Sequence, residues 1–422
     1  MTTLGAATER PAASAVAQVR LLVIFGTRPE AVKLAPVVRA LQASPLFAPV
    51  VCSTGQHKEM LEQMLDAMHL VPDYQLGLMR DRQALSSLTS LAVSGLSEII
   101  RAERPAAVVV QGDTTTCLCG ALAAFYAGVP VAHVEAGLRS GCLDSPFPEE
   151  LNRRLVAQMT RWHFAPTQGA ASNLRREGID AASVAVTGNT GIDNLRWVLD
   201  SGLGSSRFRT GLRRVLVTLH RRENQGETMR GLAVAIRELA ARGDVEVLLP
   251  LHKSSAVRDA IVPVLRDAPN VTLTDPLGYL EFTGSLASAD LVLTDSGGVQ
   301  EEAPSLGKPV LVLRETTERP EAIAAGAARL VGTSAEAVYQ AAARLLDDSD
   351  AYAAMAQAVS PFGDGHAAPR IVSRLAAELA PSTPAGPGPN PLPHLASAHY
   401  IYRPLRAAIY RRGYRLTVPM SA

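Results

Sequence analysis

One segment, LTDSGGVQEEAPSLGKPV at residues 293 to 310, combines features that suit the binding of a phosphate. An apolar run is followed by Ser296, a favourable helix cap, and then by Gly297 and Gly298 where a helix would begin. Glycines at a helix start allow close approach to backbone N–H groups, and the helix dipole favours an anion there. Glu302, one turn further on, could accept hydrogen bonds from ribose hydroxyls. The alternative is a capped helix whose acids only complement its dipole.

Basic side chains follow several other apolar runs. Arg28 lies in GTRPE at a predicted helix start, where a guanidinium suits a pyrophosphate. His220 and Arg222 follow the run RRVLVTL, and Arg319 lies in RETTERPE after another run. Any one of these residues is more often a solvated surface charge. Because they recur at the ends of predicted strands, together they indicate a polyanionic ligand.

Three carboxylates in the first half of the chain could serve proton transfer. Asp113 follows an apolar run in GDTTT, Glu135 follows another in HVEAGLR, and Glu149 lies in SPFPEE. Asp113 could simply cap the next helix, and Glu149 could belong to the first turn of a helix. A purely structural role is hardest to argue for Glu135. Carboxyls in a closed cleft have raised pKa values, which general acid–base catalysis near neutral pH requires.

Composition and missing motifs argue against several functional classes. The 422 residues carry a formal net charge of +1, so no basic field suggests nucleic acid binding. No strand–helix turn that opens either half carries G-x-G-x-x-G, no Walker motif occurs, and Cys117-Leu-Cys119 lacks a second ligand pair at zinc-like spacing. We therefore predict no cofactor, no metal, and four buried, unpaired cysteines. With no apolar run near about 18 residues and no secretion signal, we predict a cytoplasmic protein.

The alternation of apolar runs with helical patterns predicts an α/β protein that positions these residues. VRLLVIF and AAVVVQ are strands of the first half, and the second half repeats the pattern with RRVLVTL, VEVLLPL, VTLTD, ADLVLTD and KPVLVLR. We predict two Rossmann-like domains that face each other across a cleft, with a break near residues 188 to 210. Such sheets bind ligands at the carboxyl ends of their strands, so the cleft is the expected site.

The predicted domain boundaries follow the same patterns. They are a disordered N-terminal extension (1–18), a first domain with the carboxylates (19–188), a second domain (189–361), a helix that packs back on the first domain (362–380), and a tail (381–422). The tail contains eight prolines, five arginines and four tyrosines but no acidic residue, which predicts disorder. A basic segment that docks on a membrane or a protein partner is the alternative.

Seven motifs stand in order between about Val19 and Ala380: FGTRPEAVKLAP, GDTTT, HVEAGLRSG, SPFPEELNR, HRREN, LTDSGGVQEEAPSLGKPVLVLRETTERPEA and FGDG. Together they closely resemble the non-hydrolysing UDP-N-acetylglucosamine 2-epimerases. The segment that contains DSGG is the most specific of them. The resemblance implies the GT-B fold of two Rossmann-like domains, UDP held mainly by the second domain, and a homodimer.

The resemblance also assigns roles to residues that match the family's motifs. The catalytic set is Asp113, Glu135, Glu149 and His220. The substrate-binding set has Arg28 and Lys33 at the sugar and pyrophosphate, Phe282 at the uracil, Ser296, Gly297 and Gly298 at the phosphates, Glu302 at the ribose, and Arg139 and Arg319. Bacterial members bind a second, activating UDP-N-acetylglucosamine, and the residues that match this allosteric site are Gln56, Glu59, Arg82, Arg222 and His252. Glu59 and Leu277 stand where some members carry glutamine.

The implied reaction is the reversible epimerisation of UDP-N-acetylglucosamine to UDP-N-acetylmannosamine. UDP leaves carbon 1 as a proton leaves carbon 2, which gives a glycal; UDP then adds again while a proton arrives on the opposite face. Alternatives are a hydrolysing relative that releases N-acetylmannosamine and UDP, a GT-B glycosyltransferase, and a nucleotide-sugar-binding regulator without catalysis. The sequence leaves open which carboxylate is the acid and which the base.

Overall fold

The computed structural model describes residues 18–55, 65, 68, 70–78, 83–209 and 211–380. The first 17 residues and the tail beyond residue 380 lie outside this range, as do Gln56, Glu59 and Arg82. Among the residues so described, no helix is long and apolar enough to cross a membrane.

The first half of the chain forms a seven-stranded parallel sheet. Its strands are Val19–Phe25 (β1), Phe47–Ser53 (β2), Tyr74–Gln75 (β3), Ala107–Gln111 (β4), Val131–Val134 (β5), Trp162–Ala165 (β6) and Val184–Val186 (β7). They lie in the order β3-β2-β1-β4-β5-β6-β7, so the direction in which strands are added reverses between β1 and β4. In parallel α/β sheets such a reversal opens a crevice at the strand ends.

Helices cover both faces of this sheet, which explains why β1 is apolar from Leu21 to Phe25. The helices of this half are Arg28–Ala43 (α1), Leu85–Glu103 (α2), Thr115–Tyr126 (α3), Glu149–Met159 (α4) and Gln168–Arg176 (α5). Successive strand residues point to opposite faces. Leu21 and Phe25 therefore pack in the core under α1, whereas Leu22 and Ile24 pack in the core under α2 and α3.

The second half forms a six-stranded parallel sheet of the same design. Its strands are Arg213–Thr218 (β8), Val245–Pro250 (β9), Val271–Thr274 (β10), Leu291–Thr294 (β11), Val310–Val312 (β12) and Ala328–Leu330 (β13). Their order is β10-β9-β8-β11-β12-β13, and the reversal falls between β8 and β11. The associated helices are Thr190–Asp200 (α6), Glu227–Ala240 (α7), Ser255–Leu265 (α8), Tyr279–Ser288 (α9), Gly297–Ser305 (α10), Pro320–Ala324 (α11), Ala335–Asp347 (α12), Ser349–Ala356 (α13) and Ala367–Leu379 (α14).

The chain crosses between the two sheets twice, and the two crossings touch. The backbone N–H of Asn189 donates a hydrogen bond of 2.7 Å to the carbonyl of Phe362. Gly188 and Gly363 both have positive φ, and a Cβ on either would lie 3.1–3.2 Å from the other's Cα atom. Only glycine fits both the backbone conformation and this close approach. After the second crossing, α14 places Ile371 in the core of the first sheet.

The fold confirms the α/β prediction of two Rossmann-like halves, and two details differ from the sequence-based expectations. The seven predicted strands all form. Strands β2, β3, β6, β7 and β13 were not among those predictions; β3 and β13, with two and three residues, make too short an apolar run to stand out. The prediction that all cysteines are buried is wrong for Cys142, which is exposed in the segment between β5 and α4, while the other three are buried and free.

Candidate active site

A cavity of about 570 Å³ lies between the two halves, at the carboxyl ends of strands of both sheets. The start of α1 forms the wall from the first half, and the ends of β8, β9 and β11 with the starts of α9 and α10 form the wall from the second. Nine of the residues predicted from sequence line it: Arg28, Lys33, His220, His252, Phe282, Ser296, Gly298, Glu302 and Arg319. The expectation of a ligand site between facing sheets therefore agrees with the position of this cavity.

The start of α10 presents an anion-binding helix end to the cavity. Ser296 occupies the cap position, but its hydroxyl makes no capping hydrogen bond. Gly297 is buried, and a Cβ there would lie 3.0 Å from a carboxylate oxygen of Glu318, whereas a Cβ on Gly298 would meet nothing within 4 Å. The free N–H groups, the unused hydroxyl and the room at Gly298 together suit a phosphate.

His220 is oriented by Asp295, a residue that no sequence pattern assigned to the site. The Nδ1 atom of His220 lies 3.2 Å from a carboxylate oxygen of Asp295, and the backbone N–H groups of His220 and Arg221 donate to the same carboxylate. Burial opposes ionisation of Asp295, yet these hydrogen bonds outweigh it and lower the pKa. The ring of His220 stacks at 6.0 Å on that of His252. A buried carboxylate thus fixes the imidazole beside the cavity.

Glu135 forms an ion pair with Lys33, which lines the cavity. The Nε2 atom of Gln111 donates a hydrogen bond of 2.9 Å to the same carboxylate oxygen. Burial raises the pKa of Glu135, and the nearby Glu301 adds to this effect, while Lys33 opposes it. Glu135 also has a φ of 65°, a conformation that costs energy in residues other than glycine and is common at functional sites.

Arg319 forms an ion pair with Glu301, a second residue that no sequence pattern assigned to the site. Glu301 is buried and also accepts a hydrogen bond from the side chain of Asn189, next to the crossing between the sheets. Burial lowers the pKa of Arg319, but Glu301 and Glu135 more than offset it, so the pKa is raised. Opposite charges from both halves of the chain therefore interact across the cavity.

Glu302 and Arg28 both line the cavity and influence each other through their charges. Burial, with repulsion from Glu301, raises the pKa of Glu302 to about 7. Burial lowers the pKa of Arg28, and the carboxylate of Glu302 partly offsets this. Near neutral pH the carboxyl of Glu302 is therefore close to its titration midpoint, where a ligand can shift its protonation.

All three predicted catalytic carboxylates lie outside the cavity lining, although Glu135 pairs with the lining residue Lys33. Asp113 follows β4 and pairs with Arg153 of α4, whose guanidinium also donates a hydrogen bond of 2.9 Å to Glu150. Glu149 is the first residue of α4. Both belong to the same half as Glu135, and Asp113 is close enough to Glu135 to raise its pKa.

Two predicted binding residues also lie apart from the cavity. Arg139 donates hydrogen bonds of 2.8 and 2.7 Å to the two carboxylate oxygens of Glu177. Arg222 is exposed in a short 3₁₀ helix after β8, whereas His252, the other described residue of the predicted allosteric set, lines the cavity.

The fold and the site define a class of protein. Two parallel α/β domains of GT-B-like architecture enclose a cavity with an anion-binding helix end, arginines and paired carboxylates. Within this class the chain belongs to the UDP-N-acetylglucosamine 2-epimerase family, because the model of that family matches residues 39–376.

Individual relatives agree with the family assignment. The chain is 46% identical over 368 residues to UDP-N-acetylglucosamine 2-epimerase of Escherichia coli K12, covering 84% of this chain and 98% of that protein. It is 47% identical over 367 residues to the enzyme of the same name from Bacillus subtilis, covering 85% and 95%. Among solved structures, the UDP-GlcNAc 2-epimerase of Neisseria meningitidis bound to UDP-GlcNAc superposes with a TM-score of 0.78 at 42% identity, covering 85% of this chain and 100% of that one.

Proposed function

We propose that this protein interconverts UDP-N-acetylglucosamine and UDP-N-acetylmannosamine without net hydrolysis, through a glycal intermediate. The observation that carries the proposal is the cavity between the halves, where Arg28 and Arg319 stand beside a free helix end and Lys33 holds the carboxylate of Glu135. This arrangement supplies cations for a departing diphosphate next to a group that can transfer a proton. The Neisseria meningitidis relative, bound to UDP-GlcNAc, supports the choice of substrate.

In the proposed complex, UDP is held mainly by the second half of the chain. Its phosphates lie at the start of α10, where Ser296, Gly297 and Gly298 supply N–H groups and a hydroxyl. The ribose bonds to Glu302, and Phe282 packs against the uracil. Leu277 lines the same end of the cavity and would add an apolar contact to the base.

The proposed reaction begins with elimination. The bond between carbon 1 and the diphosphate oxygen breaks, its electron pair stays with UDP, and a carboxylate takes the proton from carbon 2 as the double bond forms. Arg28, Arg319 and the dipole of α10 stabilise the negative charge on UDP. UDP then adds to carbon 1 while carbon 2 receives a proton on the other face, so no oxidant is needed.

Proton transfer in this scheme is assigned to Asp113, Glu135 and Glu149, with His220 beside the diphosphate. Two opposing effects on the pKa of Glu135 suit this role, since burial favours the protonated carboxyl whereas Lys33 favours the carboxylate. Asp113, Glu135 and Glu149 lie outside the cavity lining, so in this proposal their participation requires the halves to close on the substrate.

Proton NMR of UDP-N-acetylglucosamine with the purified protein in heavy water tests the function. We expect deuterium at carbon 2 and a mixture of the gluco and manno UDP-sugars, without added nicotinamide and in the presence of EDTA. Stoichiometric release of free N-acetylmannosamine would instead establish the hydrolysing reaction. Manno product without deuterium would exclude the elimination mechanism.

Activation by a second UDP-N-acetylglucosamine stays a prediction, as do the homodimer and the cytoplasmic location. Gln56, Glu59 and Arg82 of the allosteric set lie outside the described residues. If the site operates, pure UDP-N-acetylmannosamine reacts after a lag, which a trace of UDP-N-acetylglucosamine removes. An immediate full rate, unchanged by added gluco sugar, would contradict it.

A further inference from the structure

Glu30 is a buried carboxyl that the proposed reaction does not use. It lies in the first turn of α1 with 1% of its surface exposed. One of its carboxylate oxygens accepts hydrogen bonds from the backbone N–H of Gly26 at 3.1 Å, the backbone N–H of Thr27 at 2.8 Å and the hydroxyl of Thr27 at 2.7 Å. Glu30 thus occupies the anion position at the start of α1, the place where a Rossmann domain with a nucleotide in its first turn would hold a phosphate.

The second carboxylate oxygen of Glu30 reaches the neighbouring turn. It accepts a hydrogen bond of 2.7 Å from the hydroxyl of Thr114, whose oxygen in turn accepts from the backbone N–H of Cys117 at 3.1 Å. Thr114 caps α3 and directly follows Asp113. Because β1 and β4 are neighbours, Glu30 connects the turn that carries Arg28 to the turn that carries Asp113.

Other buried side chains fix the backbone on the opposite side of the same turn. An Nε2 atom of His133 lies 2.7 Å from the carbonyl of Gly112, and the side-chain amide of Asn152 donates a hydrogen bond of 2.8 Å to the carbonyl of Asp113. His133 and Asn152 are 1% and 4% exposed. Three consecutive residues, Gly112 to Thr114, are therefore each held by a buried polar group.

Close packing leaves the turns after β1 and β4 little room to shift relative to each other. A Cβ on Gly26 would lie 2.2 Å from the hydroxyl oxygen of Thr54 and 2.3 Å from that of Thr116, which are themselves 2.9 Å apart. Burial raises the pKa of Glu30 to about 7. The contact with Thr114 survives protonation, because a carboxylic acid and a hydroxyl can exchange donor and acceptor roles.

We infer that Glu30 is a positioning residue: through Thr114 it fixes the carboxylate of Asp113 at a set distance from Arg28. The inference rests on the proposed function, in which Asp113 transfers a proton while Arg28 stabilises the diphosphate. Elimination needs both events at adjacent carbons, so the relative position of the two turns controls the rate of the chemical step and not the affinity for UDP.

The test separates this role from a general loss of stability. Thr114→Val removes the hydroxyl and is expected to lower kcat by about tenfold to a hundredfold, with KM and the Kd for UDP changed by less than about twofold. Thr114→Ser restores the hydroxyl and should restore kcat. Glu30→Gln, which replaces one accepting oxygen by a donor, should lower kcat in the same manner. Asp348→Ala, which removes the cap of α13, controls for the loss of a helix cap.

A double-mutant cycle with Asp113→Asn gives the decisive result. If Glu30 acts through Asp113, Thr114→Val lowers kcat by less than about twofold when Asp113→Asn is already present. If the factors by which Thr114→Val and Asp113→Asn lower kcat multiply fully in the double variant, the role of Glu30 is merely structural and the inference is overturned. A folded Thr114→Val variant with wild-type kcat would overturn it too. If the unmodified protein forms no manno product, the proposed function fails. Hydrogen exchange of residues 112–116, faster in Thr114→Val than in Thr114→Ser, then still tests the connection itself.

Discussion

Asp113, Glu135 and Glu149 are expected to determine turnover and to leave UDP binding intact. Asn or Gln at each position removes the titrating group but keeps its shape, so each of Asp113→Asn, Glu135→Gln and Glu149→Gln should lower kcat by about a hundredfold or more. Calorimetry with UDP should give nearly unchanged affinity. Glu227→Gln is the matched control, because the side chain of Glu227 is 86% exposed and pairs with Arg230 on the surface. Near wild-type turnover in all three variants would show that the acids are wrongly assigned.

The raised pKa of Glu302 predicts that the free energy of unfolding depends on pH. Its pKa is raised from 4.5 to about 7 in the folded state, so the folded protein binds this proton more tightly than the unfolded chain. The contribution of Glu302 to the free energy of unfolding is therefore lost as pH rises from 4.5 to about 7, by up to about 3 kcal/mol. Urea denaturation at about pH 5 and about pH 8 should show a smaller difference in Glu302→Gln than in the wild type. An equal difference in the two proteins would contradict the assignment.

At the scale of elements, Ser296 at the start of α10 is expected to contribute to the affinity for UDP but not to the stability of the fold. The hydroxyl of Ser296 makes no capping bond in the free protein, so Ser296→Ala should change the free energy of unfolding by less than about 0.5 kcal/mol. Loss of one hydrogen bond to a charged phosphate should weaken UDP binding by roughly tenfold or more. Ser334→Ala, at the cap of α12, also lacks a side-chain capping bond and should change neither quantity. A large stability loss in Ser296→Ala alone would reveal a capping role.

The elements themselves could be predicted from sequence because each half repeats one simple pattern. A strand covered on both faces is apolar over its buried length, so runs such as the buried part of β1, residues 21–25, are easily recognised. A three-residue strand such as β13 carries too little of this pattern. Strand order is also absent from local sequence, because it depends on which distant runs pair.

The order of the strands explains which site residues escaped prediction. Asp295 follows β11 and His220 follows β8, and the two meet only because these strands are neighbours at the reversal of the second sheet. Glu301 and Glu302 are adjacent in sequence, yet only the helix geometry of α10 sends Glu301 towards Arg319. Glu30 had a local signal, since Thr27 and Glu30 have capping-box spacing.

At the scale of the whole molecule, exposed apolar side chains on α3 and α4 of the first half predict that the protein self-associates. Leu151 and Leu155 lie one turn apart on α4 and are 42% and 43% exposed, while Phe125 and Tyr126 of α3 are 57% and 70% exposed. The family resemblance predicts a homodimer, and this apolar face can supply its interface. Sedimentation should show a dimer that Leu151→Asp with Leu155→Asp converts to folded monomer. Val359→Asp, at an 82% exposed position elsewhere, should leave the dimer intact.

The contact between Gly188 and Gly363 limits how the two halves can move. Two chain crossings that touch at one place are expected to permit rotation of one half about that place and to resist sliding of one half past the other. We therefore expect opening and closing of the cleft to follow mainly one angle. In the proposed reaction, substrate entry, alignment of the acids with the sugar, and escape of the glycal would then all depend on that one angle. Substitution of Gly188 or Gly363 is then expected to change turnover and retention of the proposed glycal together.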